Sequence, residues 1–326
     1  MSTHFIGLDF GGTGLKAGVV DLRSGAVNGI STAPTLPQEG PQKIMARMAD
    51  LILAAFRASG LPRETVGGIG IGVPGVIDLE RGQTRFLPNL PGNWPDVPLA
   101  DTITAATGFP VQLLNDVRSI TYGEWQFGAG KGSSSMACFA IGTGVGGGLI
   151  VNNQLVLGFG GTAGELGHII VDEHGLRCGC GNYGCVEAYS SGPAIAAMGL
   201  KAVTQGLTTC IGEMAGFDLN RITPELVSAA ANRGDEVAFE IYQRAGDYLG
   251  IALANVLVSV GPSKVVIGGG VSKAGDLLLE PLRRTVRERV KMMPVEQVEI
   301  VPAVLGMNAG IIGVAGWASH RLNRGA

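Results

Sequence analysis

Short apolar runs alternate with longer stretches of helical periodicity along this chain. Residues 5–10 read FIGLDF, a run of strand length, and residues 15–20 form a second such run beyond the turn of Gly11, Gly12, Thr13 and Gly14. The pair predicts a hairpin, and residues 26–32 supply a third strand. Over residues 41–59 the apolar positions Ile44, Met48, Leu51, Ile52 and Ala55 share one helical face. Pro41 suits the first turn of that helix, and Gly60, Leu61 and Pro62 stop it. Residues 66–73 are the next strand. Residues 80–98, rich in Pro, Asn and Gly, predict an irregular loop, and a loop that long is often functional. A helix over 99–107, a buried strand over 111–115 and a helix over 117–127 follow.

The polar glycine-serine stretch 131–135 is a candidate hinge. Past it the opening pattern returns. Residues 136–141 make a strand, 142–148 a glycine turn and 149–151 a strand again. Strand, glycine turn, strand therefore occurs twice, which suggests two related halves. Helices are predicted over 193–205, 224–232, 236–260 and 274–290, with strands over 265–267 and 298–301. A helix over 309–322 closes the chain. The alternation of strands and helices predicts an α/β layer architecture.

Composition narrows the function. The 326 residues include 53 glycines without a collagen period, which points to tight turns and close backbone approach. Net charge is −3 and no basic run is present, so a nucleic-acid footprint is missing. The longest apolar run, 251–260, is too short to span a bilayer, and the N-terminus does not read as a signal peptide. No membrane or nucleic-acid partner is expected. Five cysteines, three of them crowded, fit reduced cytoplasmic thiols and metal binding better than disulfides.

Four groups of residues carry candidate chemistry. The turn after Asp9 exposes consecutive backbone N–H groups, which suits phosphate oxygens. Asp9 could hold Mg²⁺ through water, and Thr13 could bond a phosphate. One such turn is an ordinary glycine hairpin. A second at Gly142, Thr143 and Gly144, with the triple glycine Gly268, Gly269 and Gly270, favours phosphate binding. The second turn formally matches the dinucleotide fingerprint, but that fingerprint must open a helix, and here a strand follows. Asn115 and Asp116 end a buried strand. Asp116 reads as a helix N-cap and, compatibly, as a general base for a substrate hydroxyl. Last, residues 164–187 gather His168, Cys178, Cys180 and Cys185, a set suited to tetrahedral Zn²⁺, with His174 as a competing ligand. Glu165 and His168 share one face of a helical turn, and Glu187 lies just past the last cysteine.

Together these stretches resemble the ROK family of repressors and sugar kinases, within the actin-like sugar-kinase superfamily. The resemblance covers essentially the whole chain. Its carriers are the segment from Asp9 to Lys16, the segment from Ile141 to Gly148, Glu165-Leu-Gly-His168, and the run from Cys178 to Glu187. It implies an actin-like (ribonuclease H-like), duplicated two-domain fold with a cleft. Residues 1–117 plus 308–326 would form the smaller domain, and 118–307 the larger one with the zinc segment. It implies ATP with Mg²⁺ at Asp9, Gly11, Gly12, Thr13, Lys16, Gly142, Thr143, Gly144, Gly268, Gly269 and Gly270, and a hexose in the cleft.

Asp116 would then be the catalytic base. Gly75, Asn89, Asn115, Asp116, Glu165, His168 and Glu187 would contact the sugar. Structural zinc would sit on His168, Cys178, Cys180 and Cys185, with His168 using one ring nitrogen for metal and the other for sugar. Some relatives are repressors with an N-terminal helix-turn-helix, for which the early first strand leaves no room. Residues 89–99 and the flank from Gly158 to Glu165 look most like the glucokinase branch, which makes hexose 6-phosphate. Other hexoses (N-acetylmannosamine, N-acetylglucosamine, fructose, mannose, allose), polyphosphate as donor, and a non-enzymatic sugar sensor are the alternatives. The resemblance also implies a homodimer or a dimer of dimers.

Overall fold

The computed structural model describes residues 2–88 and 90–324. Contacts divide the chain into two compact units. The first runs through Gly132 and takes in Leu155–Gly164 and the segment from Val304 onward; the second comprises Ser133–Gln154 and Glu165–Ala303. The first break lies inside the glycine-serine stretch.

In the first unit, β1 (His4–Phe10), β2 (Gly14–Asp21) and β3 (Val27–Pro34) form an antiparallel meander. β4 (Val66–Val73) lies parallel to β1. A separate two-stranded ribbon, β5 (Val76–Asp78) and β6 (Gln83–Phe86), follows. β7 (Val111–Asn115) then lies parallel to β4, giving the order β3-β2-β1-β4-β7. The carboxyl ends of β1, β4 and β7 coincide: Asp9 is in register with Gly72, and Val73 with Asn115.

Period-2 alternation decides what each face of this sheet meets. Ile6, Leu8 and Phe10 share a core cluster with Ile44, Met48, Ile52 and Ala55 of the helix Gly40–Ser59. Phe5 shares one with Ile311, Ile312 and Ala315 of the closing helix Ala309–Arg324. Gly7 is on the Phe5 face. A Cβ there would sit 2.1 Å from the Ile311 carbonyl oxygen, and one on Gly70 would sit 2.0 Å from that of Val314. Part of the glycine surplus therefore lets a helix backbone rest directly on a sheet.

The sequence predicts an irregular stretch over 80–98, but β6 lies within it. The ribbon is held by contacts with no local signature. Thr84 Oγ1 donates to the Trp94 carbonyl, Arg85 pairs with Asp78 at 2.6 Å, and the buried Trp94 ring lies 5.6 Å from Phe10.

In the second unit, β8 (Met136–Ile141) and β9 (Val145–Val151) are antiparallel. β10 (Gln154–Leu155) flanks β9, and β11 (Lys264–Gly268) and β12 (Glu299–Pro302) continue in parallel from β8. The order β10-β9-β8-β11-β12 repeats that of the first unit, strand for strand, so the echo seen in the sequence extends to topology. The second strand of the repeat is longer than predicted, because Gly146, Gly147 and Gly148 belong to it. A Cβ on Gly147 would meet Leu166 at 2.5 Å, so a glycine there makes room for packing rather than for a turn.

The helices Gly192–Thr204, Pro224–Ala231, Glu236–Val260 and Asp276–Arg289 pack around one core with Val265 and Ile267 of β11. The last begins later than the predicted 274, because Gly275, at φ 61° and ψ −131°, separates it from a short 3₁₀ turn. Among the described residues, no helix is long and apolar enough to cross a membrane.

One buried acid organises the first unit, and the sequence did not single it out. Glu124, on the helix Asp116–Phe127, is fully buried. Its carboxylate accepts from the amides of Ala129 (2.9 Å), Val304 (3.0 Å) and Leu305 (2.8 Å). It thus anchors the segment that returns to the unit ahead of the closing helix. Replacing Glu124 with alanine removes the acceptor of three partly buried N–H groups and is expected to cost about 3 kcal/mol, about 1 kcal/mol for each hydrogen bond lost. A denaturant titration checks this. A loss below about 1 kcal/mol would mean that water replaces the carboxylate.

Candidate functional site

The first glycine turn closes the β1–β2 hairpin. Gly11 N–H donates to the Gly14 carbonyl at 2.9 Å. Thr35 braces the turn from β3's end: its hydroxyl donates to Gly11 O at 2.7 Å and its amide to Thr13 O at 3.0 Å. Gly12 and Thr13 thus sit at the tip of a supported loop beside Asp9. A Cβ on Gly310, in the first turn of the closing helix, would lie 3.2 Å from the Asp9 carboxylate. Burial pushes the Asp9 carboxyl up from its ordinary value, partly offset by the charge of Lys16. An acid held against its preference in this way is one that a cation would relieve. Lys16 faces Asp9 in register, and its amine donates to Met307 O (3.1 Å) and Asn308 Oδ1 (2.6 Å). It therefore also ties the hairpin to the start of the closing helix.

At the end of β7 the roles of two neighbours differ from the sequence reading. The helix N-cap is Asn115, not Asp116. Asn115 Oδ1 accepts from Val117 N–H (3.1 Å) and Arg118 N–H (3.2 Å), and its Nδ2 donates to Gly75 O (3.2 Å). Asn115 keeps its extended backbone (ψ 146°) while Asp116 has entered the helix, so only the former can reach back over the first turn. Asp116 is the first helical residue, and its Oδ1 accepts from Val117 N–H at 2.9 Å. The amide and the helix N-terminus orient this carboxylate. Gly75, at φ 81°, approaches the Phe86 carbonyl so closely that a Cβ would come within 2.3 Å. Asn89 lies outside the described residues.

The second unit repeats the turn. Gly142 N–H donates to Gly144 O at 2.8 Å, and the chain runs straight into β9 instead of opening a helix. Gly269, at φ 89°, backs onto the end of β8: a Cβ there would meet Ile141 O at 2.2 Å. Gly142, Thr143, Gly144, Gly268, Gly269 and Gly270 therefore collect at one end of this sheet. Thr143 also borders an open cavity of about 380 Å³, with Arg177, Cys178, Glu187 and Ser191.

His168, Cys178, Cys180 and Cys185 come together, with their ligand atoms all within 4.8 Å of one another. His174 is exposed and outside the group. The Cys178 Sγ–His168 Nδ1 distance is 3.7 Å and Cys180 Sγ–Cys185 Sγ is 3.8 Å. Metal–ligand bonds of about 2.3 Å to sulfur and about 2.0 Å to nitrogen give tetrahedral edges of about 3.8 and 3.5 Å, so the donor set fits Zn²⁺. The loop is preformed by backbone bonds. Cys178 N–H donates to Asn182 O (2.8 Å), and Gly181 N–H to Cys178 O (3.0 Å).

Tyr189, which the sequence did not single out, accepts from Leu176 N–H at 2.7 Å and donates to Asp172 at 3.1 Å. Burial pushes the Cys178 thiol up to about 12 and raises Cys185 too, whereas the Asn182 amide lowers Cys180. Cation binding would therefore release protons. Nδ1 of His168 faces the sulfurs, which leaves Nε2 as the other nitrogen. His168 N–H donates to Glu165 O at 3.0 Å within one 3₁₀ turn, as the spacing predicts.

The sequence matches the family described as "ROK family" over residues 5–321. It is 36% identical to a glucokinase of Thermotoga maritima, covering 97% of this chain and 98% of that one. Among solved structures it resembles a ROK family glucokinase from Streptomyces griseus in complex with glucose and AMPPNP. That structure has a TM-score of 0.83 at 33% identity, covering 97% of this chain and 99% of the other. A ROK family transcriptional regulator, a homologue of the E. coli MLC protein, aligns with a TM-score of 0.86 at 29% identity, covering 100% of this chain and 80% of the other.

Proposed function

This chain belongs to the ROK family, and from that premise we propose that it is an ATP-dependent hexose kinase acting on glucose, with the 6-hydroxyl as acceptor. The observation that carries the reading is the carboxylate of Asp116, held at the carboxyl end of β7 beside the ends of β1 and β4. That is where ligands of open α/β sheets bind. A protein that only sensed sugar would have no physical need of a base there.

In this reading Asp116 takes the proton of the 6-hydroxyl as that oxygen attacks the γ-phosphorus. Glu165, His168 and Glu187 contact sugar hydroxyls, with Gly75 and Asn89. Asn115 contributes as a donor only, because its oxygen already accepts two helix amides. The N–H groups at the tips of the two glycine turns, other than those of Gly11 and Gly142, which donate within their hairpins, take up charge on the phosphoryl group with Mg²⁺ near Asp9; such transfers depend mainly on positioning and electrostatics. Zn²⁺, when bound by His168 and the three cysteines, supplies rigidity, since four protein ligands leave it no open position.

ADP release measured across glucose, mannose, fructose, N-acetylmannosamine and N-acetylglucosamine is expected to give the highest kcat/KM for glucose. Sugar binding by calorimetry without ADP release from any hexose would favour a sensor, the second reading. That reading draws on the likeness to the regulator.

A further inference from the structure

Glu187 touches two parts of the second unit at once. It stands two residues after Cys185 and opens the short helix Glu187–Ser190. Its Oε2 accepts the backbone N–H of Val145 at 2.9 Å, and its Oε1 lies 3.5 Å from Cys178 Sγ. Val145 is the first residue of β9, directly after Gly142, Thr143 and Gly144. The approach is close enough to dictate sequence: a Cβ on Gly144 would lie 2.5 Å from Glu187 Oε2. Five residues on, Gly192 N–H donates to the Gly142 carbonyl at 2.8 Å. The second glycine turn is therefore gripped at both ends by one short segment, at Val145 by the Glu187 side chain and at Gly142 by the Gly192 amide. That segment begins at the clasp. Cys185 is buried and bridged to Ile170, and Val186 N–H donates to Ile169 O at 3.0 Å.

We propose that Glu187 is a positioning residue that ties the His-Cys₃ clasp to the second glycine turn, so that order in the clasp sets the geometry of that turn. The proposal rests, for its functional consequence, on the reading of residues 142–148 as a phosphate-binding turn. It gives Glu187 a task beyond sugar contact: one oxygen fixes an amide of the turn, while the other looks toward the clasp. An amide held by a carboxylate is a charge-assisted bond, about twice as strong as a neutral one. The Gly192 amide and the pairing with β8 hold the turn elsewhere; the Glu187 bond limits the backbone freedom that Gly144 adds beside Val145. With the clasp loaded, Cys185 is fixed, the segment after it is fixed, and the turn inherits that order. With the clasp empty, the same segment loosens at its root.

The test compares the metal-loaded full chain with Glu187→Ala and Glu187→Gln, and with wild type stripped by a chelator. Amide hydrogen exchange of peptides covering 142–148 is read alongside Mg·ADP binding by calorimetry without sugar. In Glu187→Ala, exchange over 142–148 should quicken, and ADP affinity should fall, each on the order of tenfold. Glu187→Gln keeps an oxygen that can accept from Val145 and should stay within about threefold of wild type. Stripping the metal should loosen 142–148 and leave the first turn, 11–14, unchanged. Protection of the helix Glu236–Val260 reports that each sample is folded; should the alanine variant unfold, the glutamine variant and the stripped protein decide. Unchanged exchange over 142–148 in Glu187→Ala, or after stripping, overturns the proposal, as does a glutamine variant as loose as the alanine one. If exchange changes as expected while wild type binds no ADP, the positioning role stands and the nucleotide reading of the turn falls.

Discussion

Asp116→Asn is expected to lower turnover by about 10²–10⁴-fold, the range that a positioned general base contributes. Asparagine keeps the shape and can still accept Val117 N–H through its carboxamide oxygen, as Asp116 Oδ1 does at 2.9 Å. The helix cap is untouched, because Asn115 supplies it. Stability and sugar affinity should therefore change little. The loss should fall on kcat, which separates a base from a residue that only binds. Near-normal turnover would remove Asp116 from the chemistry. A raised KM with kcat intact would reduce it to a sugar contact.

Cys180→Ser is expected to strip the clasp and destabilise the second unit. Cys180 is the informative choice among the three cysteines because it is exposed, whereas Cys178 and Cys185 are buried. Serine at 180 removes no core packing, so any large effect must come through the metal. Structural zinc sites contribute about 10–16 kcal/mol of apparent binding energy in small peptides. Here the loop also has its own backbone bonds, so a drop of a few kcal/mol is expected. Zinc content should fall with it, and a chelator that lowers the melting temperature of wild type should have little further effect on the variant. A stable, active, metal-free Cys180→Ser protein would sink the clasp.

Legibility followed locality. Elements written by contiguous apolar runs and their stop signals were readable: the helix Leu99–Thr107 and the strands Val66–Val73 and Val111–Asn115 have the predicted ends. The repeated strand-turn-strand was visible because each copy is short and continuous. Spacing alone left the histidine of the clasp open between His168 and His174; the resemblance implied His168, and the fold gathers His168 with the three cysteines and leaves His174 outside. Contacts across long sequence separations left no trace in the sequence. Glu124 reaches amides 180 and 181 residues away, and Lys16 meets Asn308 across 292. Nothing around Glu187 announces that one of its oxygens belongs to Val145, 42 residues earlier. Gly147 of β9 misled for a related reason, since it answers to Leu166 rather than to the turn.

The roles proposed for Asp116 and the two glycine turns require that the chain phosphorylate a sugar. The most direct measurement is the product itself. The metal-loaded protein is incubated with glucose and Mg·ATP, and the mixture is followed by ³¹P and ¹³C nuclear magnetic resonance. The expected product is glucose carrying phosphate on the oxygen of carbon 6, formed as ADP appears and at least about 10²-fold more slowly in Asp116→Asn. ADP without a sugar phosphate, phosphate on the anomeric oxygen, or no reaction with any hexose would contradict it.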